Sequence, residues 1–282
     1  MGQWAAQLQI NKEAKMVHLL IVGPNGNMGR ALVKSAASAA EVQLIGGVGP
    51  QGRDYIGLDL GLLVGLGRPL GVCVYDEIDA LIDTADVVLE CTRPTVSMEV
   101  LEVCLAHRCA FVTGTTGFSR QQRGRLREAA TAIPVLHASN GSPIVHLLYE
   151  LVRLVSRAVG KSADIDIVEI HQNRKLDAPS GTAQEIAEKI ATALELDLDR
   201  AAAYGQVGTG RRQPGSIQYS SIRSGGAPSA HRVIFGFENE RLELAHQAYN
   251  AGAFADGLIE GALFVSGKDP GWCQLEEAFE QR

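Results

Sequence analysis

Cysteine is scarce in this chain and has no pattern. Cys73, Cys91, Cys104, Cys109 and Cys273 are odd in number, and no two stand in a CxxC arrangement. That argues against a disulfide framework or a zinc site and for reduced thiols in a cytoplasmic protein, with no metal centre expected. Long apolar runs are missing too, and no uninterrupted stretch reaches the roughly 20 residues that a membrane span requires. The N-terminal stretch MGQWAAQLQINKEAK is mixed polar and lacks the apolar region of a signal peptide. Met1-Gly2 opens like a myristoylation site, but position 6 is Ala where Ser or Thr is needed. Basic clusters are absent, and 26 Lys and Arg against 32 Asp and Glu leave a net charge of −6. Neither nucleic acid nor a membrane surface is therefore expected as a partner. A local basic pocket for a small acidic ligand stays open, because net charge is a whole-chain average. The chain has no internal repeats and no low-complexity segments.

What is present is apolar and strongly patterned. With 282 residues, 46 % of them hydrophobic, the chain has material for one large or two medium domains. Val17 to Gly23 (VHLLIVG) reads as a buried parallel strand, and a helical pattern follows from about Arg30 to Ala40. Further strands are expected at 42–48, 72–75, 87–91, 110–113 and 135–138, with helical stretches near 77–83 and 97–107. Strand and helix alternate at βαβ spacing, which predicts an α/β doubly wound parallel sheet. A long helix is expected from Pro143 to Val159, and beyond it the character changes. Asp164 to Ile170 alternates polar and apolar, and 216–223, 230–237 and 241–248 read as three more strands separated by Gly, Pro and Asn signals. With a helix over 182–195, that is an α+β unit with an open mixed sheet. The expected division is residues 16–142, a dinucleotide-binding domain; 143–252, a substrate and assembly domain; and 253–282, a small apolar helical segment that packs back on the first domain.

Three motifs carry chemistry. The first is the turn after the first strand, Gly23-Pro24-Asn25-Gly26-Asn27-Met28-Gly29-Arg30. A strand that ends in Gly and turns into a helix offers free N–H groups and a positive dipole end, which is where a pyrophosphate binds. The acid that would hold a ribose at the end of the second strand is absent; the segment reads Gly46-Gly47-Val48-Gly49-Pro50. Arg53 follows, either facing a 2′-phosphate or simply solvated. The second motif, Gly114-Thr115-Thr116-Gly117, closes another strand at the ligand-binding edge of the sheet, either as a small-residue seat for a flat ring or as an ordinary turn. The third runs from Glu169 to Ala183 (EIHQNRKLDAPSGTA). His171, Arg174 and Lys175 stand beside a Pro-Ser-Gly turn and a helix starting Thr182-Ala183-Gln184-Glu185, a capping-box pattern. An imidazole, two cations and a helix N-terminus within about a dozen residues describe an anion site with a proton donor beside it.

This third stretch resembles the signature of the dihydrodipicolinate reductases, E-x-H-H-x-x-K-x-D-A-P-S-G-T-A. The glycine turn, Cys91-Thr92-Arg93-Pro94, Gly114 to Phe118, Ser139-Asn140-Gly141-Ser142, Gly215-Ser216-Ile217, Ile222-Arg223 and Val265-Ser266-Gly267-Lys268 follow in the family's order. The likeness spans nearly the whole chain from Val17. It implies NADPH- or NADH-dependent reduction of a small cyclic dicarboxylate imine, a Rossmann domain joined to a mixed-sheet domain, and a homotetramer. By position it implies that Gly23, Asn25, Gly26, Asn27, Met28 and Gly29 cradle the pyrophosphate. It places Thr92, Gly114, Thr115, Thr116, Ala138, Ser139, Asn140 and Gly141 around the cofactor. His171 and Lys175 become the proton donor and its cationic partner, and Gln172, Arg174, Ser180, Gly181 and Thr182 the hold on the substrate.

The chain departs from that pattern in three places. The paired histidines are His171-Gln172; the motif A-N-F-S, with a Gly two residues on, is Ser139-Asn140-Gly141-Ser142-Pro143-Ile144; and Gly49-Pro50 replaces a Glu-Arg pair. Three readings follow: the lysine-pathway reductase, a paralogous reductase of a related cyclic imine dicarboxylate, or a non-catalytic dinucleotide sensor. Intact His171 and Lys175 speak against the last.

Overall fold

The computed structural model describes residues 16–227 and 229–280. The signal-peptide and myristoylation readings fall outside the described residues.

Six strands alternate with helices through the first half: β1 (Val17–Val22), α1 (Asn27–Ala36), β2 (Val42–Val48), α2 (Leu60–Leu63), β3 (Val74–Tyr75), β4 (Val87–Glu90), α3 (Pro94–His107), β5 (Ala110–Thr113), α4 (Arg120–Ala129) and β6 (Pro134–His137). They pair in parallel in the order β6-β5-β4-β1-β2-β3. β4 and β5 are buried along their whole length, as parallel strands covered on both faces should be. The order reverses between β1 and β4, so the strand ends at Val22, Glu90 and Thr113 border the crevice where open α/β sheets bind ligands. This is the doubly wound, Rossmann-type sheet.

Two expectations need correction here. The first helix runs Asn27–Ala36 rather than from Arg30 to Ala40. The stretch 77–83 is only a 3₁₀ turn at Ile82–Thr84. Ile78, Leu81 and Ile82 have helical spacing, but they plug the underside of the sheet as part of its core, and so short a segment does not sustain an α-helix.

The second half opens with α5 (Pro143–Val159), which has Ser142 as N-cap and Pro143 in its first turn. It continues with β7 (Asp164–His171), α6 (Gly181–Leu194), α7 (Leu198–Ala201), β8 (Ala202–Tyr204), β9 (Ile217–Arg223), β10 (Ala230–Gly236) and β11 (Arg241–Gln247). The sheet is mixed, in the order β11-β10-β7-β9-β8. One face buries Ile165, Ile167, Val233 and Phe235 against Tyr149 and Val152 of α5 and Ile186 and Ile190 of α6.

The chain then returns. α8 (Gly252–Val265) packs on α1, where Ser35 Oγ donates to Asp256 Oδ1 at 2.7 Å. β12 (Gly271–Cys273) adds a seventh parallel strand outside β6, and α9 (Leu275–Glu280) ends the described chain. α8 approaches the segment between the two sheets at backbone distance: a Cβ on Gly257 would sit 1.8 Å from the Gly141 carbonyl oxygen, and one on Gly141 would sit 2.1 Å from that of Phe254. Both positions therefore require glycine. Gly257→Ala should force α8 off this segment and cost about 1–3 kcal/mol by overpacking, read as a lower urea midpoint; an unchanged midpoint would mean that the contact is loose.

Candidate active site

Between the two sheets lies a cleft of about 810 Å³. Its floor on the first-sheet side is Asn27 and Met28 at the start of α1, with Cys91 and Thr116; on the second-sheet side it is His171, Gln172, Lys175, Ser180, Gly181 and Thr182. Ser139, Asn140 and Gly141 form the hinge-side wall together with Phe254, which packs on Gly141, and Tyr249 and Asn250 of the returning segment line the cleft beside them.

The glycine turn is shaped for close approach. Gly23 stands at φ +80°, and a Cβ on Gly29 would lie 1.9 Å from the Gly23 carbonyl oxygen. Gly26, the N-cap of α1, offers no side chain to the helix amides, which leaves them to a ligand. Arg30 braces the turn by donating to Asn25 Oδ1 at 2.5 Å and to the Leu63 carbonyl at 2.6 Å. These features fit a dinucleotide pyrophosphate. Arg53 is exposed on the loop after β2. That strand end is closed by side chains: Gly49 abuts the Tyr55 ring, and Gly47 abuts Leu60 and Pro24.

Beneath the turn is a residue that the motif reading passed over. Glu90, fully buried at the end of β4, accepts from Thr92 N (2.9 Å), Thr92 Oγ1 (2.7 Å), Ser97 Oγ (2.5 Å), Thr115 Oγ1 (3.0 Å) and Thr113 Oγ1. It thereby fixes Thr92, whose methyl lies 2.7 Å from where a Gly23 Cβ would be. A carboxylate closing the apolar run VVLEC was its signal in the sequence. Thr115 turns into this network rather than the cleft, and Gly114 is small because Cys91 Sγ and Leu258 fill the space of its absent Cβ. Of that motif only Thr116 faces the cleft. Burial and the neighbouring Glu90 push the Cys91 thiol up to about 12, so it is a neutral wall rather than a nucleophile.

On the opposite side the strand register assembles the site. Glu169 of β7 lies opposite His231 of β10 and Ser221 of β9, and His171 lies opposite Arg223. Buried Glu169 receives Arg223 Nη2 at 2.8 Å and Ser180 N at 3.0 Å. Its Oε2 is 3.4 Å from His171 Nδ1, and His171 Nε2 meets Ser229 Oγ at 3.0 Å. His231 Nε2 meets Ser180 Oγ at 3.1 Å. Burial alone would raise the Glu169 pKa, but hydrogen bonds from Ser180, Ser221 and Arg223 override it and hold the carboxyl at about 2. Burial lowers His171, with Lys175 and Arg223 adding to the shift against the pull of Glu169. Burial, then the neighbouring His171, brings His231 down to about 3. Glu169, His171 and His231 bring ligand atoms within 4.8 Å of one another, but Arg223 and Ser180 already occupy the carboxylate, and a guanidinium beside it speaks against a cation cage. His231 was legible only as an inward position of an alternating strand.

The capping-box reading is overturned. The N-cap of α6 is Ser180, whose Oγ accepts from Ala183 N at 3.2 Å. Thr182 instead accepts from Asn140 Nδ2 at 2.9 Å, and Glu185 accepts from Ser139 Oγ. The Gly181 and Thr182 amides, first in the helix, are left for an anion in the cleft. Lys175 Nζ is 2.8 Å from Asp177 Oδ1. Arg174 is exposed outside the cleft and donates to Gln172 Oε1 at 3.1 Å. Ala138 lies behind Ser139, buried.

A doubly wound sheet with a glycine turn at its switch point, set across a polar cleft from an imidazole, a lysine and a helix N-terminus, defines a two-domain dinucleotide-dependent oxidoreductase. Comparison with known proteins narrows this. Family models described as dihydrodipicolinate reductase, N-terminus and C-terminus, match residues 17–141 and 144–279. A 4-hydroxy-tetrahydrodipicolinate reductase of Alkalilimnicola ehrlichii (strain ATCC BAA-1101 / DSM 17681 / MLHE-1) is 38 % identical over 260 residues, 92 % of this chain and 97 % of that protein. The chain belongs to the dihydrodipicolinate reductase family. The fold is shared with a dipicolinate-bound dihydrodipicolinate reductase from Paenisporosarcina sp. TG-14 (TM-score 0.67, 24 % identity, 92 % and 97 % of the two chains). It is shared also with an amine dehydrogenase from Mycobacterium smegmatis (TM-score 0.63, 14 % identity, 92 % and 95 %).

Because Glu169 is held far below the ordinary carboxylate range, its stabilisation is complete above that range and is lost as pH falls toward about 2. Glu169→Gln leaves Arg223, about four-fifths covered, without its counter-charge and should cost about 3 kcal/mol at pH 7, with a smaller loss between pH 5 and pH 3 than the unaltered chain shows. Equal urea midpoints at pH 7 would refute the central place given to this carboxylate.

Proposed function

We propose that the chain catalyses the NADPH- or NADH-dependent reduction of 4-hydroxy-tetrahydrodipicolinate (dihydrodipicolinate) to tetrahydrodipicolinate in diaminopimelate and lysine biosynthesis. The observation that carries this reading is the meeting of His171, Lys175 and the α6 N-terminus at one cleft, across from the glycine turn. When bound, the reduced nicotinamide supplies a hydride. The chain's own residues do the rest. The Gly23–Gly29 turn and the α1 amides hold the pyrophosphate, and Thr116 with Ser139 to Gly141 borders the nicotinamide. The Gly181 and Thr182 amides take one substrate carboxylate, and Lys175, released from Asp177, draws the other. Fixing both ends orients the ring. The charge of Glu169, 3.4 Å from Nδ1, favours the protonated form of His171, and that imidazolium is the proton donor to the reduced substrate.

Gln172 favours a second reading. It lines the cleft where the family carries a second imidazole, and it cannot hold a charge. A paralogous reductase of a related cyclic imine dicarboxylate would use the same machinery. All five cysteines are free, which supports a cytoplasmic setting. No described helix is long and apolar enough to cross a membrane. The family likeness supports a homotetramer, and Ile144, Leu147, Leu151 and Leu154 form an exposed apolar row along α5 suited to burial in it.

The decisive assay mixes the purified chain with NADPH or NADH and dihydrodipicolinate made in situ and follows nicotinamide absorbance. Oxidation of either is expected. Coenzyme binding without oxidation would transfer the assignment to the paralogous reading. If Arg53 faces a 2′-phosphate, Arg53→Ala should raise the KM for NADPH alone. His171→Ala should lower kcat by about 100- to 10,000-fold. Lys175→Ala should raise the substrate KM and lower kcat together, consistent with about 1.5–3 kcal/mol for a charge-assisted contact. Unchanged kinetics in either variant would remove that residue from the mechanism. Because burial lowers the His171 pKa, the proton-donor form of the free enzyme declines as pH rises through a value below the ordinary imidazole range, and kcat/KM should fall with it.

A further inference from the structure

Beside the cleft, and sharing Thr116, Ser139 and Gly181 with it, a second cavity of about 500 Å³ opens between α4, α6 and α9. His146 stands on its wall. It belongs to the first turn of α5 and is nearly buried. Nε2 is hydrogen-bonded to the Asn140 carbonyl oxygen at 2.9 Å, and Nδ1 stands 2.9 Å from Glu276 Oε1 of α9 as an ion-pair contact, off the hydrogen-bonding axis. A neutral imidazole with its proton on Nε2 serves the carbonyl alone; the imidazolium adds the attraction of the Glu276 carboxylate. Tyr149 and Phe279 pack edge-on against the ring, with centroids at 5.5 and 5.6 Å, and shield it from solvent.

The carbonyl that His146 holds belongs to the residue on which the hinge-side wall depends. Asn140 Nδ2 donates to Thr182 Oγ1 at 2.9 Å, and Asn140 Oδ1 accepts from Ser142 N at 2.8 Å. The chain of contacts Glu276, His146, Asn140, Thr182 thus runs from the C-terminal helix to the anion-binding end of α6. Nothing in the sequence pattern marks His146.

We infer that His146 is a positioning residue: as an imidazolium it ties Glu276 to the Asn140 carbonyl and holds segment 139–142 in the shape that receives the nicotinamide end of the coenzyme. This rests on the coenzyme reading above. Burial opposes the charge, but Glu276, the Asn140 carbonyl and, at longer range, Glu185 of α6 outweigh it and raise the pKa above the ordinary imidazole value. Lys189 of α6 acts on Glu276, Tyr149 stands on α5 itself, and Arg123 and Arg127 of α4, His137 of β6 and Glu188 of α6 line the same cavity. A raised folded-state value means that the tie is complete below the ordinary imidazole range and is lost as pH rises through the raised one. Binding of the nicotinamide end therefore weakens on the alkaline side.

The test is equilibrium binding of NADPH and NADH, by nicotinamide fluorescence, to the full chain, His146→Asn and Glu276→Gln from pH 6 to 9. ADP-ribose and its 2′-phosphate serve as probes that lack nicotinamide. The unaltered chain should bind the reduced coenzyme more weakly as pH rises. Each variant should bind it about tenfold more weakly at pH 6, as expected for loss of a charge-assisted contact, with a flattened pH dependence and unchanged affinity for the ADP-ribose probes. Variants that match the unaltered chain in affinity and pH profile would overturn the inference. A parallel loss of ADP-ribose affinity would also overturn it, by assigning His146 to general stability. An unaltered chain that binds ADP-ribose but neither reduced coenzyme would bring down the coenzyme reading and this inference together.

Discussion

Much of this structure hangs on a carboxylate that has no contact with water. Glu169 sits in the middle of the mixed sheet at the row where β7, β9 and β10 run side by side. A buried charge survives only if every lone pair is answered. The answers here come from Arg223 and Ser221 of β9 and from Ser180 at the start of α6, with His171 of its own strand a further 3.4 Å neighbour. Satisfying one anion therefore sets the start of the anion-binding helix and places a negative charge beside the proton donor at the end of its strand. Arg223 extends the arrangement by donating to the Asp177 carbonyl at 2.5 Å, which anchors the loop bearing Lys175.

The first sheet repeats the device. Glu90 ends β4 as Glu169 nears the end of β7, buried and encircled by hydroxyls and an amide rather than by a cation. The difference fits the tasks. The nucleotide side needs a rigid, small-residue floor at the switch point, and short Thr and Ser side chains provide it. The substrate side needs room for an anion, so its buried acid is neutralised by a guanidinium and adds no net negative charge to the cleft. Neither carboxylate needs to touch a ligand for the cleft to depend on it.

These two acids also show where sequence reading succeeds and where it stops. The strands of the first sheet were legible because a parallel strand covered on both faces must be apolar throughout, as in VHLLIV and AFVT. The third motif was legible because His171, Lys175 and the α6 start lie close along the chain. α4 was not: RQQRGRLREA buries only Leu126 and Ala129, so it has little apolar periodicity, and its capping box at Ser119 and Gln122 is the better signal. β8 and β12 are three residues each and exist because a neighbouring strand offers an unpaired edge. Thr182 looked like a cap because the local pattern fits one, but a partner 42 residues away claimed its hydroxyl. Ser229, His231, Glu276 and His146 reach their places only through register and tertiary packing, which no local window contains.

The chain passes between the two sheets twice, out through residues 138–143 and back through 248–252. Two covalent crossings act as the two pins of a door. They suppress twisting and sliding of one half against the other and leave rotation about the line that joins them as the softest motion. Asn140 lies on one pin and Ala251 on the other, and both border the cleft. A rotation about that line would have its axis along the binding site itself, so the distal jaw surfaces would travel furthest while the groups near the axis kept their spacing.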